Sequence, residues 1–210
     1  GLKTIEDATE IRRKVLLAFE TAERESDPEK QKAWLRFVVV GGGPTGVELA
    51  GTLGEIAHQT LKNNFRKIDP SQAEILLVEA MDRVLMPYAP ELSEKARQSL
   101  AELGVKVMTD TRVTDIQADR FTFQTGDQEQ TLRTHTILWG AGVQASPLGK
   151  VLHETTGVEL DRAGRVIVES DLSIKGYPNL FVIGDLSHFA HNTERPLPGV
   201  APVAMQQGKY

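Results

Sequence analysis

The spacing of apolar side chains predicts a helix, a loop and a strand at the start of the chain. Between residues 4 and 24, apolar positions recur every three or four residues with charges between them, which is the period of an amphipathic helix. Residues 26–31 are polar and include Pro28, a composition typical of a loop. Residues 35–40 are rich in β-branched side chains and lead into three glycines, so we predict a strand buried on both faces.

Helical and strand patterns then alternate. We predict a helix over residues 45–65, a strand over 75–79, a helix over 90–103 and a strand over 105–108. Together with the strand at 35–40, this βαβαβ order is that of the mononucleotide-binding half of a doubly wound sheet. The predicted fold class is therefore α/β, with a Rossmann-like parallel sheet.

The pattern changes twice in the second half of the chain. Residues 112–133 alternate between apolar and polar positions with two breaks, which predicts a three-stranded antiparallel β-meander. Residues 136–139 return to a buried strand that runs into Gly140-Ala141-Gly142. From residue 146 the chain is rich in loops, with a last strand at 180–183. The nearest sign of a domain boundary is the change of pattern at residues 143–147.

Composition excludes several classes of function. The net charge is −5 and the sequence has no dense Lys/Arg run, which argues against nucleic-acid binding. Without cysteines the chain cannot form a disulfide, a thiolate metal site or a cysteine nucleophile. The five histidines are scattered, and we interpret them as ordinary loop residues rather than metal ligands. No apolar run is long enough to cross a bilayer and residues 1–9 lack a signal-peptide pattern, so we expect a soluble, intracellular chain whose chemistry is carried by a cofactor.

The segment Gly41-Gly42-Gly43-Pro44-Thr45-Gly46 carries the strongest chemical signal. It contains G-x-G-x-x-G directly after a predicted strand and before a predicted helix. Gly41 would make the tight turn, Gly43 would let a pyrophosphate approach the backbone, and Gly46 would let helix and strand pack closely. The helix N-terminus would offer N–H donors to the phosphates. The alternative is a glycine-rich turn that binds no ligand.

A carboxylate follows the second predicted strand. Glu79 stands where a Rossmann fold places the acidic residue that accepts hydrogen bonds from the adenosine ribose, although the spacing 79 − 46 = 33 exceeds the usual ~20 residues. A carboxylate at this point repels a 2′-phosphate, so it favours NADH over NADPH. Arg83 is close enough in sequence to weaken that preference, or is simply a surface residue.

Glu48 admits two interpretations. Two residues after Gly46, we place it in the first turn of the predicted helix, where a carboxylate can stabilise the helix dipole. Alternatively, it points away from the pyrophosphate and toward the nicotinamide.

Four segments occur in an order that resembles type II NADH dehydrogenases of the two-dinucleotide-binding flavoprotein superfamily. They are LKTIEDA at 2–8, GGGPTGVELAG at 41–51, LWGAGV at 138–143 and NLFVIGD at 179–185. The resemblance implies a flavin-dependent enzyme that transfers a hydride from NADH to FAD and then reduces a quinone. It also implies that residues 1–32 are a linking helix and loop, 33–145 the NADH-binding domain, and 146–210 an incomplete C-terminal part of the FAD-binding domain.

The resemblance assigns roles to individual residues. It places Glu48 near the nicotinamide as the one catalytic candidate, and the carboxylate of Asp185 on the flavin ribityl chain. Residues 198–208 would lie under the isoalloxazine and line the quinone tunnel, where Pro202 replaces a glutamine that many members have. We assign cofactor contacts to Gly41, Gly42, Gly43, Pro44, Thr45, Gly46, Glu48, Glu79, Ala80, Arg83, Val113, Gly140, Ala141, Gly142, Gly184, Asp185, Val203 and Ala204, and substrate contacts to Gln206 and Gln207.

The resemblance also implies an internal portion of a longer protein. We expect the first FAD-binding glycine motif upstream of Gly1 and membrane-docking helices downstream of Tyr210. The whole enzyme would then be peripheral on the inner, cytoplasmic face of a membrane, whereas this chain would be soluble, inactive and nearly free of FAD. The sequence leaves the oligomeric state open, with a homodimer as one alternative. The alternatives are another pyridine-nucleotide flavoprotein, such as a ferredoxin or disulfide reductase, or an inactive nucleotide-binding module; a sulfide-oxidising relative is disfavoured by the missing cysteines.

Overall fold

The chain divides into two structural units. A computed structural model describes residues 2, 4–142, 144–191 and 195–210. Contacts within the chain separate a first unit, Gly1–Ala141, from a second, Gly142–Tyr210. In chain order, the helices and strands of the first unit are α1 (Ile5–Arg24), α2 (Pro28–Trp34), β1 (Arg36–Val40), α3 (Pro44–Glu55), β2 (Glu74–Val78), α4 (Pro90–Glu102), β3 (Val105–Met108), β4 (Thr111–Ile116), β5 (Arg120–Thr125), β6 (Gln128–Arg133) and β7 (Thr136–Trp139).

A four-stranded parallel sheet is the centre of the first unit. Its strands lie in the order β3-β2-β1-β7, and every residue of β1 is buried. Because successive side chains of a strand point to opposite faces, Phe37 and Val39 enter the core formed with the helices. Val38 and Val40 enter a second core, which includes aromatic side chains of β5. The parallel sheet and the antiparallel sheet β4-β5-β6 confirm the predicted α/β class with its meander.

α1 forms as the apolar spacing predicts. The Thr4 side chain accepts from the Asp7 N–H and the Asp7 carboxylate accepts from the Thr4 N–H, which is a capping box. The buried face of the helix consists of Val15, Ala18, Phe19 and Ala22. These side chains belong to the same core as the helix-facing side of the sheet.

Two predictions for the first unit were wrong. Residues 28–31 of the predicted loop belong to α2, because the Asp27 carboxylate accepts from the N–H groups of Glu29 and Lys30 and Pro28 suits a first helical position. The helix predicted to reach residue 65 is shorter: α3 ends at Glu55, continues as a π-helical turn, Ile56–Thr60, and stops there.

The second unit consists of short elements. They are α5 (Leu148–Thr156), β8 (Val166–Ile167), β9 (Ser173–Ile174), β10 (Tyr177–Phe181), β11 (Ser187–His188) and α6 (Ala201–Gln207). β10 lies three residues earlier than the strand start predicted at residue 180 and pairs antiparallel with β9, and α5 occupies a segment that we predicted to be loop-rich. The small core includes Val158, Val166, Ile174 and Val182. Among the described residues, no helix combines the length and the apolar composition needed to cross a bilayer.

Candidate functional site

The glycines between β1 and α3 form a tight turn, and its geometry is possible because glycine has no side chain. Gly41 has a φ of +104°, and a Cβ there would lie 2.6 Å from the backbone nitrogen of Ala141. A Cβ on Gly46 would lie 1.8 Å from the Gly41 carbonyl oxygen, so helix and turn could not approach as they do. A Cβ on Gly43 would meet nothing within 4 Å. The turn therefore has a packed side and an open side, and Gly43 is on the open side.

The turn leaves several backbone donors free. Gly43 is the N-cap of α3 and Pro44, which has no N–H, is its first residue. The N–H groups of Gly43, Thr45 and Gly46 make no hydrogen bond with the described part of the chain. A helix N-terminus with free donors and a positive dipole end is a binding site for a phosphate group.

Glu79 closes one side of the turn. It directly follows β2, the neighbour of β1, and its Oε2 accepts from the Gly42 N–H at 2.5 Å. Its Oε1 accepts from the Met81 N–H at 2.8 Å. Since an ionised carboxylate can accept about four hydrogen bonds, Glu79 retains capacity for the hydroxyl groups of a ribose. The exposed Ala80 follows it.

Arg83 is held by its own loop. Its guanidinium donates to the carbonyl oxygens of Tyr88 and Met86 and to the Ser93 hydroxyl, at 2.8, 3.2 and 2.9 Å. Three of its five donor positions are therefore engaged away from Glu79. Ser93, which is buried, was outside the sequence prediction because only the fold brings it to Arg83.

The end of β7 borders the turn from the opposite side. β7 pairs with β1, and a Cβ on Gly140 would lie 3.3 Å from the Cα of Gly46. Ala141 lies against Gly41 and packs on the meander-facing core, as does Val113 of β4. The structure thus brings the candidates Gly41–Gly46, Glu79, Gly140 and Ala141 together at the carboxyl ends of adjacent strands, the usual ligand position in open α/β sheets. Gly142, with a φ of +65°, is the first residue of the second unit.

Glu48 occupies a different position from the one predicted. Because α3 begins at Pro44, Glu48 lies in its second turn rather than its first. It is exposed and makes no hydrogen bond or ion pair with the described residues. Since the dipole effect falls off within the first turn, a role for Glu48 as a dipole partner loses its basis.

In the second unit, Asp185 lies in a short turn after β10. The turn is a 3-10 helix, Gly184–Leu186, and Gly184 has a φ of +66°. The Asp185 carboxylate is exposed and has no hydrogen-bond partner among the described residues. It lies beside the backbone of Gly199, where a Cβ would be 3.2 Å from its Oδ1. Gly199 belongs to the stretch 198–208 predicted to lie under the isoalloxazine, but its place beside an aspartate could not be derived from spacing.

The two candidate glutamines of α6 have different surroundings. Gln206 is exposed and lines a cavity of about 190 Å³ with Leu172, Phe189, Leu197 and Tyr210. Gln207 is half-buried, and its Oε1 accepts from the Gly184 N–H at 2.6 Å and from the Ser187 hydroxyl at 3.2 Å. Of the two remaining α6 candidates, Ala204 faces Gly184 and Val203 is half-buried.

The histidines are not the ordinary loop residues that we predicted, because each has a structural partner and both His58 and His153 lie in helical segments. His135 stacks on Trp34, whereas His58, His153 and His191 each contact a backbone carbonyl oxygen. His188 Nδ1 lies 2.9 Å from the Asp161 carboxylate. Within the described ranges, no three His, Cys, Asp or Glu side chains are arranged to hold a metal ion.

Comparison with known proteins identifies relatives that are much longer. A type II NADH:quinone oxidoreductase of Mycobacterium tuberculosis is 46% identical over 211 residues, which is 100% of this chain and 44% of that protein. The structure of NDH2 from Plasmodium falciparum in complex with NADH is similar with a TM-score of 0.75 and 26% identity, over 89% of this chain and 38% of that one. A ferredoxin reductase from Rhodopseudomonas palustris shares the fold, with a TM-score of 0.62 and 21% identity, over 83% of this chain and 39% of that one. The family model described as pyridine nucleotide-disulphide oxidoreductase matches residues 1–208, and the chain belongs to that family.

Proposed function

We propose that this chain is the NADH-binding portion of a flavoprotein that transfers a hydride from NADH to FAD and passes electrons on to a quinone. The observation that carries the proposal is the Gly41–Gly46 turn, with its open side at Gly43 and Glu79 beside it. The relatives support the same reaction, since the M. tuberculosis protein is an NADH:quinone oxidoreductase and the P. falciparum structure contains NADH. The chain spans 44% of the former, so the complete reaction is proposed for the full-length protein.

The residues of the first unit fit NADH. The free N–H groups of Gly43, Thr45 and Gly46 would hold the pyrophosphate, and the open space at Gly43 lets it reach the backbone. Glu79 would accept from the adenosine ribose. Gly140 and Ala141, across the turn, and Val113 would line the remaining part of the site. Glu48 would lie at the nicotinamide end, where its exposed carboxylate orients the reacting ring.

The residues of the second unit fit part of a flavin site. The exposed Asp185 carboxylate has free lone pairs, and a Cβ at Gly199 would crowd it at 3.2 Å. FAD, when bound, would supply the hydride acceptor and the electrons delivered to the quinone. Asp185, Gly184, Val203 and Ala204 would hold it, and Gln206 would meet the quinone at its largely apolar cavity.

Selection of NADH over NADPH is the part of the proposal that this chain can test alone. A 2′-phosphate would meet the Glu79 carboxylate, and Arg83 is engaged elsewhere by Tyr88, Met86 and Ser93. We expect calorimetry to give about tenfold tighter binding of NADH than of NADPH, from repulsion between like charges.

The matched variants are Glu79→Gln and Arg83→Ala. Glu79→Gln should reduce the preference for NADH by removing the negative charge. Arg83→Ala should leave the ratio of the two affinities unchanged, because the guanidinium is already held by its loop. Equal affinities in the unmodified chain would refute the role given to Glu79.

A ferredoxin or disulfide reductase is the main alternative enzyme. The similarity to the ferredoxin reductase, at 21% identity, concerns the fold alone. The cavity at Gln206 favours a quinone, because a largely apolar lining with the amides of Gln206 and Gln207 suits a ring with two carbonyl groups. Turnover of the full-length protein with NADH and a short-chain quinone, compared with turnover on ferredoxin, decides between them. If the isolated chain binds NADH without turnover, it is a nucleotide-binding module by itself. This result also agrees with the proposal, which assigns the complete reaction to the full-length protein.

We also propose that the full-length protein attaches to the cytoplasmic face of a membrane through segments outside this chain. The proposal follows from the resemblance to type II NADH dehydrogenases. Sedimentation with lipid vesicles should retain the full-length protein and leave the 210-residue chain in solution. Whether the full-length protein is a homodimer can be measured in the same preparation by light scattering.

A further inference from the structure

Gln207 connects α6 to the turn that carries Asp185. Its side-chain Oε1 accepts hydrogen bonds from the Gly184 N–H at 2.6 Å and from the Ser187 hydroxyl at 3.2 Å. These two donors lie on either side of Asp185 in the chain. The Ser187 hydroxyl is also 2.9 Å from the Gly184 carbonyl oxygen, which closes the turn on itself.

A second contact holds the same turn against α6. Gly184 has a φ of +66°, and a Cβ there would lie 3.4 Å from the Cβ of Ala204. Ala204 and Gln207 are three residues apart and share a face of α6. The backbone that carries Asp185 thus lies beside Ala204 and is hydrogen-bonded to α6 through Gln207.

The Gln207 amide also has a donor that the chain does not use. Its Nε2 is buried and has no hydrogen-bond partner among the described residues. An unpaired buried donor destabilises a protein, so its retention calls for an acceptor from outside the described chain. The exposed Asp185 carboxylate, two residues before Ser187, would meet the same bound group.

We propose that Gln207 is a positioning residue of the flavin site, which fixes the Gly184–Ser187 turn so that Asp185 faces the ribityl hydroxyl groups. The inference rests on the proposed function. Gln206 and Gln207 both line the cavity proposed for the quinone, and it is the pair of hydrogen bonds to the Gly184–Ser187 turn that distinguishes Gln207. A glutamine suits this role because its carbonyl oxygen can accept from both an N–H and a hydroxyl without introducing a charge.

The test measures FAD affinity in the full-length apo-protein by quenching of flavin fluorescence. Gln207→Met has a similar length and lacks the acceptor, and we expect its Kd for FAD to rise about tenfold. Ser187→Ala removes one of the two partners and should raise the Kd about threefold. Lys175→Gln, at an exposed position between β9 and β10, should leave it unchanged. In FAD-saturated Gln207→Met, we expect the KM for quinone to rise by a smaller factor than the Kd for FAD.

The outcomes distinguish the inference from the function on which it rests. If unmodified full-length protein binds no FAD, the proposed function fails. If it binds FAD and Gln207→Met binds equally well, or if the KM for quinone rises while the Kd for FAD is constant, the positioning role is overturned. Circular dichroism of each apo-variant reports folding, and if Gln207→Met does not fold, an unchanged Kd in Ser187→Ala overturns the role instead.

Discussion

The two units differ in how completely they bury their strands. All five residues of β1 in the first unit are buried between two apolar cores, whereas all five of β10 in the second are exposed. Phe181 and Met205 of the second unit have 61% and 62% of their surface exposed. A surface with such exposed apolar side chains normally contacts another segment. Since a longer relative is matched over only 44% of its length, we expect the first unit to function alone and the second to depend on the rest of the full-length protein.

The largest effect should be the difference between the two cofactors. The complete turn at Gly41–Gly46 should let the purified 210-residue chain bind NADH, while the few flavin residues of the second unit should retain little or no FAD. Absorbance near 450 nm and calorimetry with NADH measure both in one preparation. Stoichiometric flavin would contradict the comparison, as would a failure to bind NADH by a folded chain.

A pair of substitutions separates the packed side of the turn from its open side. Gly46→Ala would place a methyl group 1.8 Å from the Gly41 carbonyl oxygen, so we expect a loss of about 2 kcal/mol or more in the free energy of unfolding. Gly43→Ala meets nothing within 4 Å and should change stability by less than about 1 kcal/mol. Its methyl group would nevertheless obstruct the pyrophosphate, so NADH affinity should fall about tenfold.

Urea unfolding and calorimetry of the two variants check this distinction. Gly51→Ala provides a control for adding a methyl group to a glycine, because Gly51 has no positive φ and a Cβ there would make only an ordinary contact, 3.7 Å from Leu103. If Gly43→Ala binds NADH as tightly as the unmodified chain, the pyrophosphate does not approach at Gly43.

The contrast between the units also explains which parts of the fold the sequence predicts. The strands at 105–108 and 136–139 were predicted at their observed bounds, although both lie at the edges of the four-stranded sheet, because glycines directly precede the first and follow the second. α2 and α5 were missed because short helices depend on local caps. Asp27 begins the first, and Gly157, in the left-handed conformation, ends the second.

The same limit applies to the candidate site. The glycine turn and Glu79 could be predicted, since each has a fixed place relative to a strand. The restraint of Arg83 by Ser93 and the hydrogen bond from the Gly184 N–H to Gln207 could not, because they join residues whose proximity only the folded chain creates. The place of Glu48 in its helix was predicted one turn too early because Pro44 already begins the helix.

The third expected effect, smaller than those on cofactor binding and on the glycine turn, is a pH-dependent change in the stability of the second unit. Burial raises the pKa of Asp161, but hydrogen bonds from His188 and from Arg165 outweigh it and hold the pKa well below its usual range. A carboxyl group with a depressed pKa stabilises the fold above its unfolded value near 3.8 and loses that contribution as the pH falls through the folded value. We therefore expect Asp161→Asn to destabilise the second unit by about 2 kcal/mol at pH 7, and this difference should shrink progressively as the pH falls from the unfolded value of 3.8 toward the folded pKa.

Hydrogen exchange in residues 157–191 at several pH values measures this effect within the second unit. Asp171→Asn is a matched control, because Asp171 is exposed and bonds only Ser173, two residues away, so its effect should be smaller. A difference between Asp161→Asn and the unmodified chain that stays constant down to pH 2 would show that the charge of Asp161 is not the source of its contribution.

The smallest effect on stability should come from substitution of Glu48, although we expect the same substitution to impair function. Its exposed carboxylate lies beyond the first turn of α3 and has no partner among the described residues, so Glu48→Gln should change the free energy of unfolding by less than about 0.5 kcal/mol. Glu55→Gln, at an exposed position of the same helix, makes the same change of charge and serves as the control. In the full-length protein, Glu48→Gln alone should weaken NADH binding or slow flavin reduction in stopped-flow measurements, because only Glu48 would reach the nicotinamide. If both variants reduce flavin at the rate of the unmodified enzyme, Glu48 is an ordinary surface carboxylate.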